Sequence, residues 1–181
     1  MKARFVTTWV LVALVSMAGA AFAQDQPDHR DLRTANDISR AVNRYSRFTI
    51  FDDINARVEN GVVMLSGKVT MPYKRDDIGR IVAKVDGVRE VQNNIDVLPV
   101  SSFDEDLRYR IARAIYGNPS FWNYATMANP PIHIIVEHGH VRFTGVVNSN
   151  VERMLARSLA TGFGELSVVN ELKTDAEIRS E

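Results

Sequence analysis

Two stretches of the chain, VENGVVMLSGKV from Val58 and VEHGHVRFTGVV from Val136, follow one pattern: valine, glutamate, a turn residue, glycine, a short apolar run, a small hydroxyl residue, glycine, valine. An internal repeat constrains a fold more than any other feature of a sequence, because it demands two copies of one unit. Placing Ile54 on Ile132 aligns Val58 with Val136, Gly61 with Gly139, Val63 with Val141, Leu65 with Phe143, Gly67 with Gly145 and Val69 with Val147 without a gap. With one residue fewer in the second copy, Gly87 meets Gly164, Val91 meets Val168, Asn93 meets Asn170 and Ile95 meets Leu172. The duplication therefore extends past the hairpin.

Each copy has a local reading. Asn60-Gly61 and His138-Gly139 lie between alternating apolar positions, as a two-residue hairpin turn with positive φ requires. SFDEDLRYRIARAIY opens with Ser102 and Glu105 at capping-box spacing and sets Leu107, Ile111, Ala114 and Ile115 on one helical face. TANDISRAVNRY sets Ile38, Ala41, Val42 and Tyr45 on a similar stripe. Later helices are expected in PYKRDDIGRIVAKVDG and, from Ser149 and Glu152, in SNVERMLARSLATGFG, each followed by a short strand. The fold class is α+β: two tandem α-β-β-α-β units, each a small mixed three-stranded sheet with two helices on one face. Expected boundaries are 30–99 and 102–175, with a tail at 176–181 and an insertion at 117–131. Val58, Val63, Leu65, Val136, Val141 and Phe143 are expected in the cores, and LPVSS at the junction is too short for freely tumbling modules.

The beginning of the chain predicts its compartment. Lys2 and Arg4 precede an apolar run ending in Ala21-Phe22-Ala23, the pattern of a signal peptide over residues 1–23. Its densest part is shorter than the ~20 residues of a spanning helix. Export to the periplasm follows, with no transmembrane span in the mature chain and, in the absence of any cysteine, no lipidated N-terminus. Lys and Arg total 22, as do Asp and Glu; losing Lys2 and Arg4 leaves 20 against 22. That balance gives no field for nucleic acid.

The element order, the hairpin V-x-N-G-V-V-x-L-S-G-x-V and the later G-V-x-x-V-x-N-x-I-x-V resemble the BON domain, a small α/β module of bacterial envelope proteins. The first copy carries the pattern in Val58, Gly61, Val63, Leu65, Gly67, Val69, Gly87, Val91, Asn93 and Ile95. The second departs from it at His140, Arg142 and Glu165. The resemblance implies binding, through phospholipid attachment and envelope integrity under osmotic stress, and it brings no catalytic residue and no cofactor.

The residues themselves offer little chemistry. His133, Glu137, His138 and His140 have the residue types of a metal site. The hairpin register, however, faces Glu137 with His140, Ile135 with Arg142 and His133 with Thr144, which leaves His133 roughly 13 Å from His140, too far to share an ion. Asp52-Asp53 and Asp76-Asp77 are neighbours pointing different ways and read as caps or solvated faces. LSGKV lacks the nucleophile-elbow pattern, and Gly67-Lys68 lacks the upstream glycine of a phosphate loop. No metal site and no enzyme is expected.

The insertion GNPSFWNYATMANPP is the exception to a purely structural sequence. It gathers Phe121, Trp122, Tyr124 and Met127 in what reads as a loop, beside Arg110 and Arg113 of the preceding helix. Aromatic rings suit a membrane–water interface and guanidinium groups suit lipid phosphate, so these six residues form the candidate lipid- or partner-binding site. The expected partner is anionic phospholipid or another envelope protein. The bland alternative folds the loop onto its own sheet edge or onto the first unit.

Overall fold

A computed structural model describes residues 29–180; the signal-peptide expectation lies outside them. The first unit runs α1 (His29–Asn43), β1 (Asp53–Glu59), β2 (Val62–Val69), α2 (Pro72–Val82) and β3 (Glu90–Val97). The second runs α3 (Ser102–Tyr116), a 3-10 turn at Pro119–Phe121, α4 (Trp122–Ala125), β4 (Ile132–Glu137), β5 (His140–Val147), α5 (Asn150–Leu159), β6 (Ser167–Asn170), β7 (Lys173–Thr174) and α6 (Asp175–Ser180). Each sheet has its hairpin antiparallel and its crossover strand parallel, in the order β1-β2-β3 and β4-β5-β6. Along β2, Val63, Leu65 and Val69 are buried with Ile38, Val42, Ile78 and Val82, whereas Met64 and Ser66 are exposed. Period-two alternation thus turns one face to both helices and leaves the other open. Val136, Val141 and Phe143 do the same in the second core, while Val58 is half-buried at a sheet edge.

Both hairpin turns hold φ near +50° at Asn60 and His138 and near +76° at the following glycines, the left-handed pair that a two-residue turn requires. Each turn is clamped from the unit's first helix. Asp31 accepts from the Asn60 and Gly61 amides at 2.6 and 3.1 Å, and Asp104 accepts from the His138 and Gly139 amides at 2.8 Å each. This engagement corrects the expected cap: the α3 N-cap is Ser101, whose hydroxyl accepts from Asp104 N at 3.2 Å, and α1 begins upstream of the expected stripe so as to include Asp31.

Three further expectations change. Residues 117–131 are not a structureless loop but contain two short helical turns, and since Asp104 follows Asp31 by 73 positions while Gly139 follows Gly61 by 78, the net insertion is five residues. The expected tail is α6, held where the Arg153 guanidinium meets Glu177 at 3.0 Å. The last strand of the second unit is split: Phe143↔Asn170 and Val147↔Thr174 keep one register, but pairing lapses between β6 and β7, which makes the second sheet four-stranded.

The units are joined by more than the junction. The connection between α1 and β1 sends Ile50 and Phe51 into the second core, and Phe51 meets Tyr109 edge-on at 5.3 Å. Lys68 Nζ lies 2.6 Å from Glu137 Oε2, and Arg142 Nη1 lies 3.4 Å from Asp53 Oδ2.

Candidate functional site

The aromatic segment is built from local rules. Gly117 follows the end of α3, the Asn118 side chain accepts from Ser120 N at 3.0 Å, and Pro119 starts the 3-10 turn with a residue that needs no amide partner. Phe121 and Tyr124, three apart on successive turns, then face the same way. Phe121 is completely buried and Tyr124 is 4% exposed, both within the second core. These two residues, expected among the surface anchors, are therefore interior. Helical spacing turns them inward, and the same spacing turns Trp122, 60% exposed, outward; Met127, past the end of α4, is 47% exposed.

The Tyr124 hydroxyl donates to Glu152 Oε2 at 2.7 Å and accepts from Asn148 N at 3.0 Å. Burial, reinforced by the hydrogen bond to Glu152, pushes its pKa up to about 12. The corresponding place in the first unit explains this arrangement. There Thr70, aligned with Asn148, donates its amide to Asp52 at 2.9 Å, and Lys74, aligned with Glu152, donates to Asp52 at 2.6 Å. Asp52 also accepts from Thr49 N and Oγ1 and from Thr70 Oγ1, so the aspartate expected as a cap or on a solvated face does accept backbone amides but is wholly buried. The insertion thus delivers a hydroxyl where the first unit holds a carboxylate, and the helix residue facing it changes from cation to anion. The one sequence signal of this substitution is the aligned exchange of Lys74 for Glu152, which the hairpin pattern alone does not single out.

The expected cations are placed differently from one another. Arg110 Nη2 pairs with Asp106 at 2.7 Å and the guanidinium carbon lies 5.9 Å from the centre of the Phe163 ring, so its charge is already engaged. Arg113, in the last turn of α3, is exposed. Through the Tyr124–Glu152 bond, α4 sits against the first turn of α5, whose Val151 and Met154 are also exposed. The exposed residues of this region are Trp122 and Met127, with Arg113 exposed on α3 and Val151 and Met154 exposed on α5.

The histidines serve other contacts. The β4–β5 register faces Glu137 with His140 and His133 with Thr144. Glu137 binds Lys68, His140 Nδ1 lies 2.7 Å from Ser167 Oγ, and His133 packs on Phe48 at 5.5 Å. Among the described residues, no three His, Asp or Glu side chains converge to hold a metal ion, and no helix is long and apolar enough to cross a membrane.

No curated protein matches the chain. Two solved structures of CdsD, a structural protein of the type III secretion system of Chlamydia trachomatis, are similar to it. The C-terminal domain is 14% identical over 76% of this chain and 94% of that chain, with a TM-score of 0.27. The other structure is 13% identical over 80% of this chain and 95% of that chain, also with a TM-score of 0.27. The BON domain model matches residues 30–99 and 104–176, one match for each α-β-β-α-β unit, and the chain belongs to the BON domain family, of which it carries two tandem copies.

Proposed function

We propose that this protein is a non-enzymatic module of the periplasmic envelope whose second unit docks on anionic phospholipid and thereby supports envelope integrity. The observation that carries the reading is the exposure of Trp122 at 60% on a helical turn whose neighbours Phe121 and Tyr124 are locked in the core. A large ring presented to solvent from a rigid base suits an interface, where its apolar body and its indole N–H find different partners. Met127, further along the same segment, is 47% exposed, and Arg113 is an exposed cation in the last turn of the preceding helix. From Ser101 onward the unit has eight basic against ten acidic residues, so attraction to lipid rests on local arrangement rather than net charge.

Trp9 lies in the expected leader, so a chain beginning at Gln24 reports tryptophan emission from Trp122 alone. Anionic vesicles should shift that emission to the blue and shield it from an aqueous quencher, neutral vesicles should do less, and salt should weaken the effect. Trp122→Ala should reduce cosedimentation with vesicles and leave stability within about 0.5 kcal/mol, as for an exposed side chain. Emission that ignores anionic vesicles would remove the lipid reading.

A further inference from the structure

We infer that the outer edge of β1 is a binding site for an extended, non-acidic peptide segment of a partner protein, which adds to the first sheet as a further strand. The inference concerns the first unit and does not depend on the lipid reading of the second.

The two units treat the same edge in opposite ways. Their turns close on Glu59↔Val62 and Glu137↔His140, so alternate residues along the first strand of each hairpin aim their backbone N–H and C=O groups away from the sheet. These are Ile54, Ala56 and Val58 in β1, and Ile132, Ile134 and Val136 in β4. In β4 each is engaged: Tyr116 Oη donates to Ile132 O at 2.6 Å, Ile134 N donates to Ile50 O at 2.7 Å, and Arg108 Nη2 donates to Val136 O at 2.6 Å. All three strand residues are buried.

The first unit lacks every one of these plugs. Helix positions corresponding to Arg108 and Tyr116 are Ala35 and Asn43, by the 73-residue spacing that relates Asp31 to Asp104. Among the described residues, no hydrogen bond reaches the outward groups of Ile54, Ala56 or Val58, and Ala56 is exposed. A groove of about 240 Å³ remains between α1 and β1, floored by Ile38, Val42 and Ile54 and closed at one end by Phe48 and His133. That volume is below the roughly 300 Å³ at which small-molecule pockets begin and suits a side chain entering from an added strand. The His133 Nδ1 atom is buried there without a partner.

The molecule itself shows what fills such a groove. The Thr49–Asp52 turn sets the Ile50 carbonyl on the outward Ile134 amide of β4 and packs Ile50 and Phe51 against the second core, so an aliphatic residue beside an aromatic one closes that edge. Charge narrows the choice further: Asp53 in the groove already meets Arg142 and no Lys or Arg lines the groove, so a peptide carboxylate entering it would lose water without gaining a cation. The occupant is an extended segment with an aliphatic residue beside an aromatic one, neutral or basic in charge.

The test uses the ¹⁵N-labelled chain and the terminally blocked peptide RFTIF, which copies Arg47–Phe51. Saturable shifts at the Ile54 and Ala56 amides are expected. Ala56→Pro removes an outward donor at an edge position where proline is tolerated, and it should weaken binding at least ~10-fold. Ala35→Arg with Asn43→Tyr writes the plugs of the second unit into the first and should weaken binding as much, with circular dichroism unchanged. RFTDF should bind at least ~10-fold more weakly than RFTIF. Vesicle binding should be indifferent to all of these changes. Absence of shifts, shifts confined to the second unit, or equal binding by the Ala35→Arg/Asn43→Tyr variant would overturn the inference. Self-association abolished by Ala56→Pro would also overturn it, by assigning the edge to a second copy of the chain.

Discussion

Asp52 is the residue on which the first unit most depends. Its carboxylate is fully buried, accepts from Thr49, Thr70 and Lys74, and fixes the turn that carries Ile50 outward. Removing one partner of a buried ion pair strands the other, so Asp52→Ala should cost about 3–5 kcal/mol in urea unfolding. Replacing the pair by apolar groups of matched volume should cost much less. At the corresponding place in the second unit, Tyr124→Phe deletes a hydroxyl with two partners and should cost about 1–3 kcal/mol. The same tyrosine gives a pH signature. Its pKa rises from 10.0 to about 12 on folding, chiefly by burial, so its contribution is complete below pH 10 and is lost as pH rises toward 12. Tyr45, raised to about 12 by burial and by its bond to Asp77, acts in the same window. Stability should therefore fall between pH 10 and 12, and Tyr124→Phe should flatten part of that decline.

The paired turn clamps make a prediction for the hairpins. Asp104 is fully buried whereas Asp31 is half-buried, so leaving two turn amides unpaired costs more in the second unit. Asp104→Ala should lose about 1–3 kcal/mol and Asp31→Ala should lose less, read from chemical unfolding of each variant. These clamps also mark how far the elements were legible in the sequence. Strand alternation around Asn60-Gly61 and the 3.6-residue stripe of α3 are local patterns, and they yielded the strands, the crossover helices and the shared face of both units. Asp31 and Asp104 act across about thirty residues or more, and neither position differs locally from any acidic residue in a first helical turn. Burial of Asp52 depends likewise on Thr70 and Lys74, which the adjacency of Asp52 and Asp53 conceals. Within the candidate site, the residue types were legible but their direction was not. Phe121 and Tyr124 have helical spacing, yet a segment of two short turns rich in Asn, Gly and Pro carries too few positions to show a periodicity.

At the scale of the whole molecule, the two units share structure unequally. The second core includes Ile50 and Phe51 from the first unit, while the first core takes no comparable group from the second. The second unit is thus completed by its neighbour, and the first, with β1 open, is not. Each copy is small enough to be marginal alone, since domains of this size leave much of their chain exposed. Coupling through Ile50 should therefore make unfolding cooperative, with Thr49–Asp52 as the shared element. Ile50→Ala removes a half-buried aliphatic group from the second core and should cost roughly 2 kcal/mol there, while leaving the Asp52–Lys74 pair and the first core intact. Calorimetry should then show the single transition of the parent chain separating into two, with the second unit melting earlier. Retention of one transition by the variant would locate the coupling in the Lys68–Glu137 and Arg142–Asp53 pairs instead, and Lys68→Ala with Arg142→Ala should then produce the separation that Ile50→Ala did not.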